Sequence, residues 1–335
     1  MIRILLAVFI FTSFIACQSE RKTTESTSQI QWVQGDAFGS TYAIQYVSTQ
    51  DYGDSIGGIL RDIDHVISTY SNQAMLYQLN NVQDTITSHR YLEELLTLSR
   101  EYSKKTDGYF DPTVEPLMVL WGFSSTGVKH SPTDAEVKQT LEVLGLEKFN
   151  FNNGKFYKTN SNSKISFNAI TGYINDVVAQ YLESQGVQNY LVEIGGEIIA
   201  KGTKPDGSAW RVGIDKPEQS TAADRTLQGI VELKDLGLAT SGNYRKFVTD
   251  SATGRNIVHT MDPKTGYPKE SRLLSATILA KSAAEADAIA TAVMAMGSDH
   301  ADAFLNRTDY KAMLIFQAEN GEHDVRLYNN FQWAE

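Results

Sequence analysis

The chain of 335 residues has a single cysteine, Cys17, which excludes an intrachain disulfide framework and any multi-cysteine zinc or iron–sulfur centre. Prolines are few, seven in all, and 24 glycines without a collagen period exclude fibrous and low-complexity classes. Positive charge is in deficit: 30 Lys and Arg stand against 40 Asp and Glu, a formal net charge of -10. A field of that sign repels phosphate, so nucleic acid is not expected as a partner, and an anionic small molecule needs a local positive source such as a metal ion. G-x-G-x-x-G, Walker, G-x-S-x-G and H-E-x-x-H motifs are also missing, which leaves nicotinamide, P-loop and common hydrolase chemistry without support. What is present is ample: 41% hydrophobic and 10% aromatic residues can bury a sizeable core, and the length fits about two domains or lobes.

The longest apolar run opens the chain. Arg3, then Ile4 to Phe11, then Phe14-Ile15-Ala16-Cys17 reads as an export signal rather than a membrane span. A small residue followed at once by the cysteine is similar to a bacterial lipobox. The expectation is a signal peptide over 1–16, lipid on Cys17, a polar tether over 17–29 and a folded body over 30–335. That body is expected on the periplasmic side of a bacterial membrane, inner or outer, held by its lipid anchor. A plain secretory signal with an incidental cysteine is the alternative.

Along the body, Tyr42, Ile44 and Tyr46 alternate as in a strand, whereas Ile56, Leu60, Ile63 and Ile67 follow helical spacing, as do Leu92, Leu95, Leu96 and Tyr102. Thr133 with Glu136 and Ser282 with Glu285 predict capping boxes, the second opening a helix that stops at Gly297. A helix is expected over roughly 173–185, strands over 190–194, 197–201, 210–214, 229–233, 238–240 and 273–279, then a short helix near 299–306 and a hairpin over 311–330. Helices and adjacent strands segregate, which favours α+β over a doubly wound sheet.

Asp287 and Thr291 are four residues apart in the Ser282-capped helix, so both oxygens leave one face. A carboxylate with a hydroxyl is hard oxygen ligation suited to Mg²⁺; the plainer reading is an acid near a helix start with a threonine filling a gap. Their neighbours are almost all Ala, Ile, Val and Met, so a buried carboxylate there needs a partner. His259 begins His-Thr-Met-Asp-Pro-Lys-Thr-Gly, which is a base or phosphate contact at a strand end or simply a turn. Gly195-Gly196 and Ser241-Gly242 let backbone approach a ligand, or are hairpin turns. The aromatic segment from Gly108-Tyr109-Phe110-Asp111-Pro112 to Trp121-Gly122-Phe123 stacks a planar ring or fills a core corner.

Taken in order, these segments resemble the ApbE family of FAD:protein FMN transferases, over about residues 35 to 330. The resemblance is carried by Phe38-Gly39-Ser40-Thr41, Ser68-Thr69-Tyr70 through Asn80, Phe110 to Val114 with Trp121-Gly122-Phe123, and Ile194 to Glu197. It continues through Ala239 to Tyr244, His259 to Pro268 and Ala286 to Ala292. It implies a two-lobed, T-fold-like α+β architecture with mixed or antiparallel sheets and packed helices. It implies a reaction in which FAD is the substrate, Mg²⁺ the cofactor, and FMN passes through its phosphate to a Thr or Ser hydroxyl of an exported electron-transfer protein, releasing AMP.

Carried over, Asp287, Thr291 and the Ala169 carbonyl hold the metal, and His259 lies beside the pyrophosphate as the catalytic group. Phe38, Tyr70, Tyr109, Phe110, Asp111, Ser166, Gly195, Gly196, Ser241 and Met261 line the FAD site. The chain departs from the family in the segment Ser166 to Gly172, where Ser166 replaces an acid and one residue is missing, and at Ala74-Met75. The shortening is expected to displace Ala169. An FAD pyrophosphatase and a catalytically impaired flavin-binding protein are the alternatives.

Overall fold

The computed structural model describes residues 29–123, 131–218, 226–243, 247–249 and 256–334. In chain order come strands β1 (Gln29–Ala37) and β2 (Ser40–Ser48), helices α1 (Gly53–Ile67) and α2 (Met75–Asn81), strand β3 (Thr85–Thr87), and helices α3 (Arg90–Lys105), α4 (Glu115–Leu120) and α5 (Asp134–Leu141). Strands β4 (Phe149–Asn152) and β5 (Lys155–Lys158) precede helix α6 (Gly172–Ser184). Strands β6 (Tyr190–Ile194), β7 (Glu197–Lys201), β8 (Trp210–Asp215), β9 (Leu227–Leu233), β10 (Leu236–Gly242), β11 (Phe247–Thr249), β12 (Asn256–Val258) and β13 (Leu273–Ala280) follow. Helix α7 (Ala283–Asn306) and the hairpin β14 (Lys311–Gln317) and β15 (His323–Tyr328) close the chain.

Eight strands form one antiparallel sheet in the order β1-β2-β6-β7-β10-β13-β14-β15. Side chains alternate across a strand, so both faces of this sheet are filled. On β14, Ala312, Leu314 and Phe316 join the core under α1, α3, α6 and α7, while Met313 and Ile315 face the other way. There the β8–β9 hairpin covers them with Trp210, Val212, Val231 and Leu233. Burial on two faces explains why β6, β7 and β14 read as nearly continuous apolar runs. The α+β expectation therefore holds, and every ladder of the large sheet is antiparallel.

Local signals are met with one exception. The α5 box forms in full, with Thr133 accepting from Glu136 N and the Glu136 carboxylate accepting from Thr133 N. At α7 only half forms: Ser282 Oγ accepts from Glu285 N at 3.1 Å, but the Glu285 carboxylate turns to Lys105 and Tyr310, both at 2.9 Å. Gly297 (φ 70°, ψ -178°) breaks α7 where the sequence places its stop, and the short segment beyond resumes the helix. The β1–β2 turn carries positive φ at both central residues, 54° at Phe38 and 73° at Gly39, the mark of a type I′ turn.

Candidate active site

The site is organised where the first turns of α6 and α7 meet. Gly172 permits that approach, because a Cβ there would lie 2.3 Å from the Ala283 carbonyl oxygen. With the helices this close, Gly172 N donates to Asp287 Oδ2 at 3.1 Å, and Thr171 Oγ1 donates to the same oxygen at 3.3 Å. Asp287 is only 5% exposed. Burial pushes its carboxyl up to about 6, partly offset by the Gly172 and Thr171 donors. No lysine or arginine among the described residues forms a recorded ion pair with it.

A second acid faces it instead. Glu197, at the start of β7, is half-buried, and burial together with the Asp287 charge raises its carboxyl well above the ordinary range. The Thr171 hydroxyl reaches Glu197 as well. One turn along α7, Thr291 Oγ1 meets Ser241 Oγ of β10 at 3.3 Å. The exposed turn Gly195-Gly196 (φ 71° and 103°) joins β6 to β7 beside Glu197. Asp287, Thr291, Ser241 and the glycine pair, selected from distant parts of the sequence, thus gather around one face of α7. Ala169 lies in the turn closed by Ile170 N to Phe167 O at 3.0 Å, two residues before Thr171.

Two acids with no Lys or Arg ion pair among the described residues, flanked by hydroxyls, are an oxygen-donor set that fits a hard divalent ion such as Mg²⁺. No group of three or more His, Cys, Asp or Glu side chains converges among the described residues, so a zinc-type cage is not what is built.

His259 follows β12, half-buried, with its ring edge-on to Phe123 at 6.4 Å. The residues after it form a braced loop. Thr260 donates to Asn243 Oδ1, Met261 bridges Pro268, and Gly266 N closes the Asp-Pro-x-x-Gly turn onto Asp262 O at 2.8 Å. Met261 is buried with Leu117 and Leu144, and Trp121 Nε1 donates to Gly266 O at 2.8 Å. The aromatic segment's Trp121 therefore acts as a brace under the Met261 loop.

Other sequence-selected residues sit differently from one another. Phe110 is 0% exposed, packed edge-on against Tyr102, so its side chain is core and only its backbone is left to meet a ligand. Tyr70 is 84% exposed just beyond α1 and stands in solvent. Asp111 spends Oδ1 on Thr113 N and Thr113 Oγ1, at 2.8 and 2.6 Å, and burial raises its carboxyl. Ser166 N donates to Pro112 O at 2.9 Å, tying the shortened loop to that same turn. Tyr109 borders a cavity of about 180 Å³, with Lys264 Nζ 4.0 Å above its ring and His300 alongside. Phe38 packs against the edge of the main core. Cys17 and the leader fall outside the described residues.

A cavity of about 790 Å³ between α3, α6 and β7 is lined by Tyr173, Asp176 and Ser282 and by none of the residues selected from the sequence. Sequence reasoning passed over Asp176, and named Thr171, Gly172 and Glu197 only as parts of motifs. A glycine opening an apolar helix, and an acid directly after a glycine pair, were the signals available.

Comparison with known proteins identifies the family and the fold. The family model described as "ApbE family" matches residues 38–315. The chain is 30% identical over 333 residues to an FAD:protein FMN transferase of Haemophilus influenzae, covering 95% of this chain and 93% of that protein. It is 33% identical over 300 residues to the protein of the same name from Vibrio cholerae, covering 86% and 88%. The apo crystal structure of the Pseudomonas stutzeri flavinyl transferase ApbE superposes with a TM-score of 0.79 at 31% identity, over 91% of this chain and 96% of that one.

Proposed function

This chain belongs to the ApbE family, and from that premise we propose that it transfers FMN from FAD to a protein, at a Thr or Ser hydroxyl, releasing AMP. The single observation that carries the reading is the electrostatically linked Asp287–Glu197 pair, with no Lys or Arg ion pair among the described residues, set against the Thr291–Ser241 hydroxyls. Asp287 and Thr291 would hold Mg²⁺, with the Ala169 carbonyl beside them. The ion, when bound, neutralises the diphosphate and the charge that develops on the departing AMP.

The chain's own groups do the rest. Gly172 N and Thr171 Oγ1 fix the Asp287 rotamer, and Gly195-Gly196 leave backbone open to the ligand. Phe38, Tyr109 and Met261 form the apolar side of the flavin site, with the Phe110-Asp111 backbone beside them. In the reaction the acceptor hydroxyl oxygen bonds to the FMN phosphorus, the bond from that phosphorus to the AMP phosphate oxygen breaks, and His259 takes the hydroxyl proton. Holding both reactants in line supplies much of the acceleration.

The purified protein with FAD, Mg²⁺ and a threonine-bearing acceptor peptide should give a fluorescent, covalently flavinylated peptide and AMP in equal amounts. Free FMN with AMP and no labelled peptide would make it a pyrophosphatase; neither product would overturn the proposal. Lipidation of Cys17, a membrane-bound periplasmic location and an exported electron-transfer acceptor complete the reading, supported by the apolar run ending in Ala16-Cys17. Cys17→Ala should move the protein from the membrane to the soluble fraction.

A further inference from the structure

The contact between α6 and α7 is reciprocal. Gly172, the first residue of α6, gives its N–H to Asp287, the fifth residue of α7. In return Asp176, the fifth residue of α6, accepts from the first residues of α7: Ala283 N to Oδ1 and Ala284 N to Oδ2, both at 2.9 Å. Each helix thus has its exposed first-turn amides closed by a carboxylate from one turn inside the other. The orphan N–H groups of both ends are satisfied, and each acid sits at the positive end of the partner's dipole. Two such links, spaced a turn apart, fix both the rotation and the axial position of α7 relative to Thr171 and Gly172.

From this geometry we infer that Asp176 is a positioning residue for the active site, holding α7 so that Asp287 and Thr291 present their oxygens in register with the Thr171–Gly172 turn. The inference rests on the metal reading of Asp287 given above. Asp176 itself commits an oxygen to each of two α7 amides, so its part is to hold the helix. Glu285, its near neighbour on α7, is engaged with Lys105 and Tyr310 and does not compete for those amides. The Ser282 hydroxyl caps the same helix end at Glu285 N and also meets the Asp176 carboxylate, so it supports the link without supplying either of the two α7 amides that Asp176 holds.

The test compares Asp176→Asn, Asp176→Ala and Ser282→Ala with wild type in the full-length protein. Two readouts are used: Mn²⁺ affinity by calorimetry, and hydrogen exchange of the 283–291 segment without metal. Asp176→Asn keeps one good acceptor and should weaken Mn²⁺ binding about tenfold, Asp176→Ala further, within the ten- to hundredfold range of lost outer partners. Both should speed exchange across 283–291, whereas Ser282→Ala, which removes a cap and one hydroxyl contact of Asp176 but keeps both of its amide bonds, should leave Mn²⁺ affinity within about twofold. Unchanged affinity and exchange in both Asp176 variants would overturn the inference, as would equal losses in Ser282→Ala. If wild type binds no Mn²⁺, the metal reading fails, while the exchange data still decide whether Asp176 sets the position of α7. Should Asp176→Ala not fold, the isosteric Asp176→Asn carries both measurements.

Discussion

Gly172→Ala tests the junction most directly. The new Cβ would lie 2.3 Å from Ala283 O, 2.4 Å from Ala283 C and 2.8 Å from Ala284 N, all backbone atoms that no rotamer change can move. Ordinary contact begins near 3.4 Å, so α6 must retreat by about 1 Å, which stretches the 3.1 Å Gly172–Asp287 bond beyond any useful length. Overpacking costs about 1–3 kcal/mol, and a lost hydrogen bond to a charged group about 1.5–3 kcal/mol. Against this, alanine returns at most about 1 kcal/mol of helix propensity, and less at a first helical position. The net loss is then roughly 1.5–6 kcal/mol. A domain of this size moves roughly 1.5 °C per kcal/mol, so scanning calorimetry should show Tm falling by about 2–9 °C. Mn²⁺ affinity should fall about tenfold with it, because a group orienting a ligand is lost. A Tm within about 1 °C of wild type together with unchanged Mn²⁺ binding would refute the claim that this glycine sets the site.

The carboxyl of Asp287 titrates at about 6 in the fold against 3.8 ordinarily, so the native state holds a proton between those values that the unfolded chain has lost. The metal-free protein should therefore gain up to roughly 3 kcal/mol as pH falls from about 6 to about 4, and lose it again on return. The apparent Mg²⁺ affinity, read by thermal shift at several pH values, should drop up to about tenfold per unit below about 6, because ion and proton compete. Asp287→Asn should abolish turnover and Mn²⁺ binding yet leave the metal-free Tm equal or higher, since the buried charge and its repulsion of Glu197 disappear; a lower Tm would mark Asp287 as structural. Phe38→Asn should raise Tm by about 1–2 °C, because asparagine adopts the positive φ of 54° more readily, while raising the KM for FAD by removing an aromatic wall. A lower Tm with unchanged KM would remove Phe38 from the flavin site.

What the sequence discloses depends on the range of the interaction. Thr133 and Ser282 announce their helices because an N-cap acts over three residues, and β6 and β7 are read to the residue because Gly195-Gly196 separates two apolar runs. Gly297 likewise declares its own backbone. The second half of the α7 capping box fails because Glu285 finds Lys105, 180 positions away, and no local rule weighs that rival. The inward turn of Phe110 and the solvent exposure of Tyr70 are tertiary facts of the same kind. Asp287 and Thr291 are found from spacing and family resemblance, but Glu197 as their electrostatic neighbour is not, since it arrives on another strand. The shortened loop runs into a helix whose first N–H reaches Asp287, a contact between residues 115 positions apart that local pattern does not disclose.

The two carboxylates of the α6–α7 junction also explain how an acidic protein can serve an anionic substrate. Asp287 is buried and Asp176 half-buried, and loss of solvent pushes both up to about 6. Their hydrogen bonds divide their roles. Asp176 spends one oxygen on each of two α7 amides, whereas Gly172 N and Thr171 Oγ1 both fall on Oδ2 of Asp287. Asp287 lies within the field of Glu197 and one helical turn from Thr291, which favours a further positive partner there. An acid held by donors too weak to cancel its charge, opposite a second acid that raises the local negative potential, favours a divalent cation over a lone lysine. On the proposed reading, such a cation would reverse the sign of the potential where the diphosphate sits. The negative character of the site would then be what draws in the ion that an anionic substrate requires.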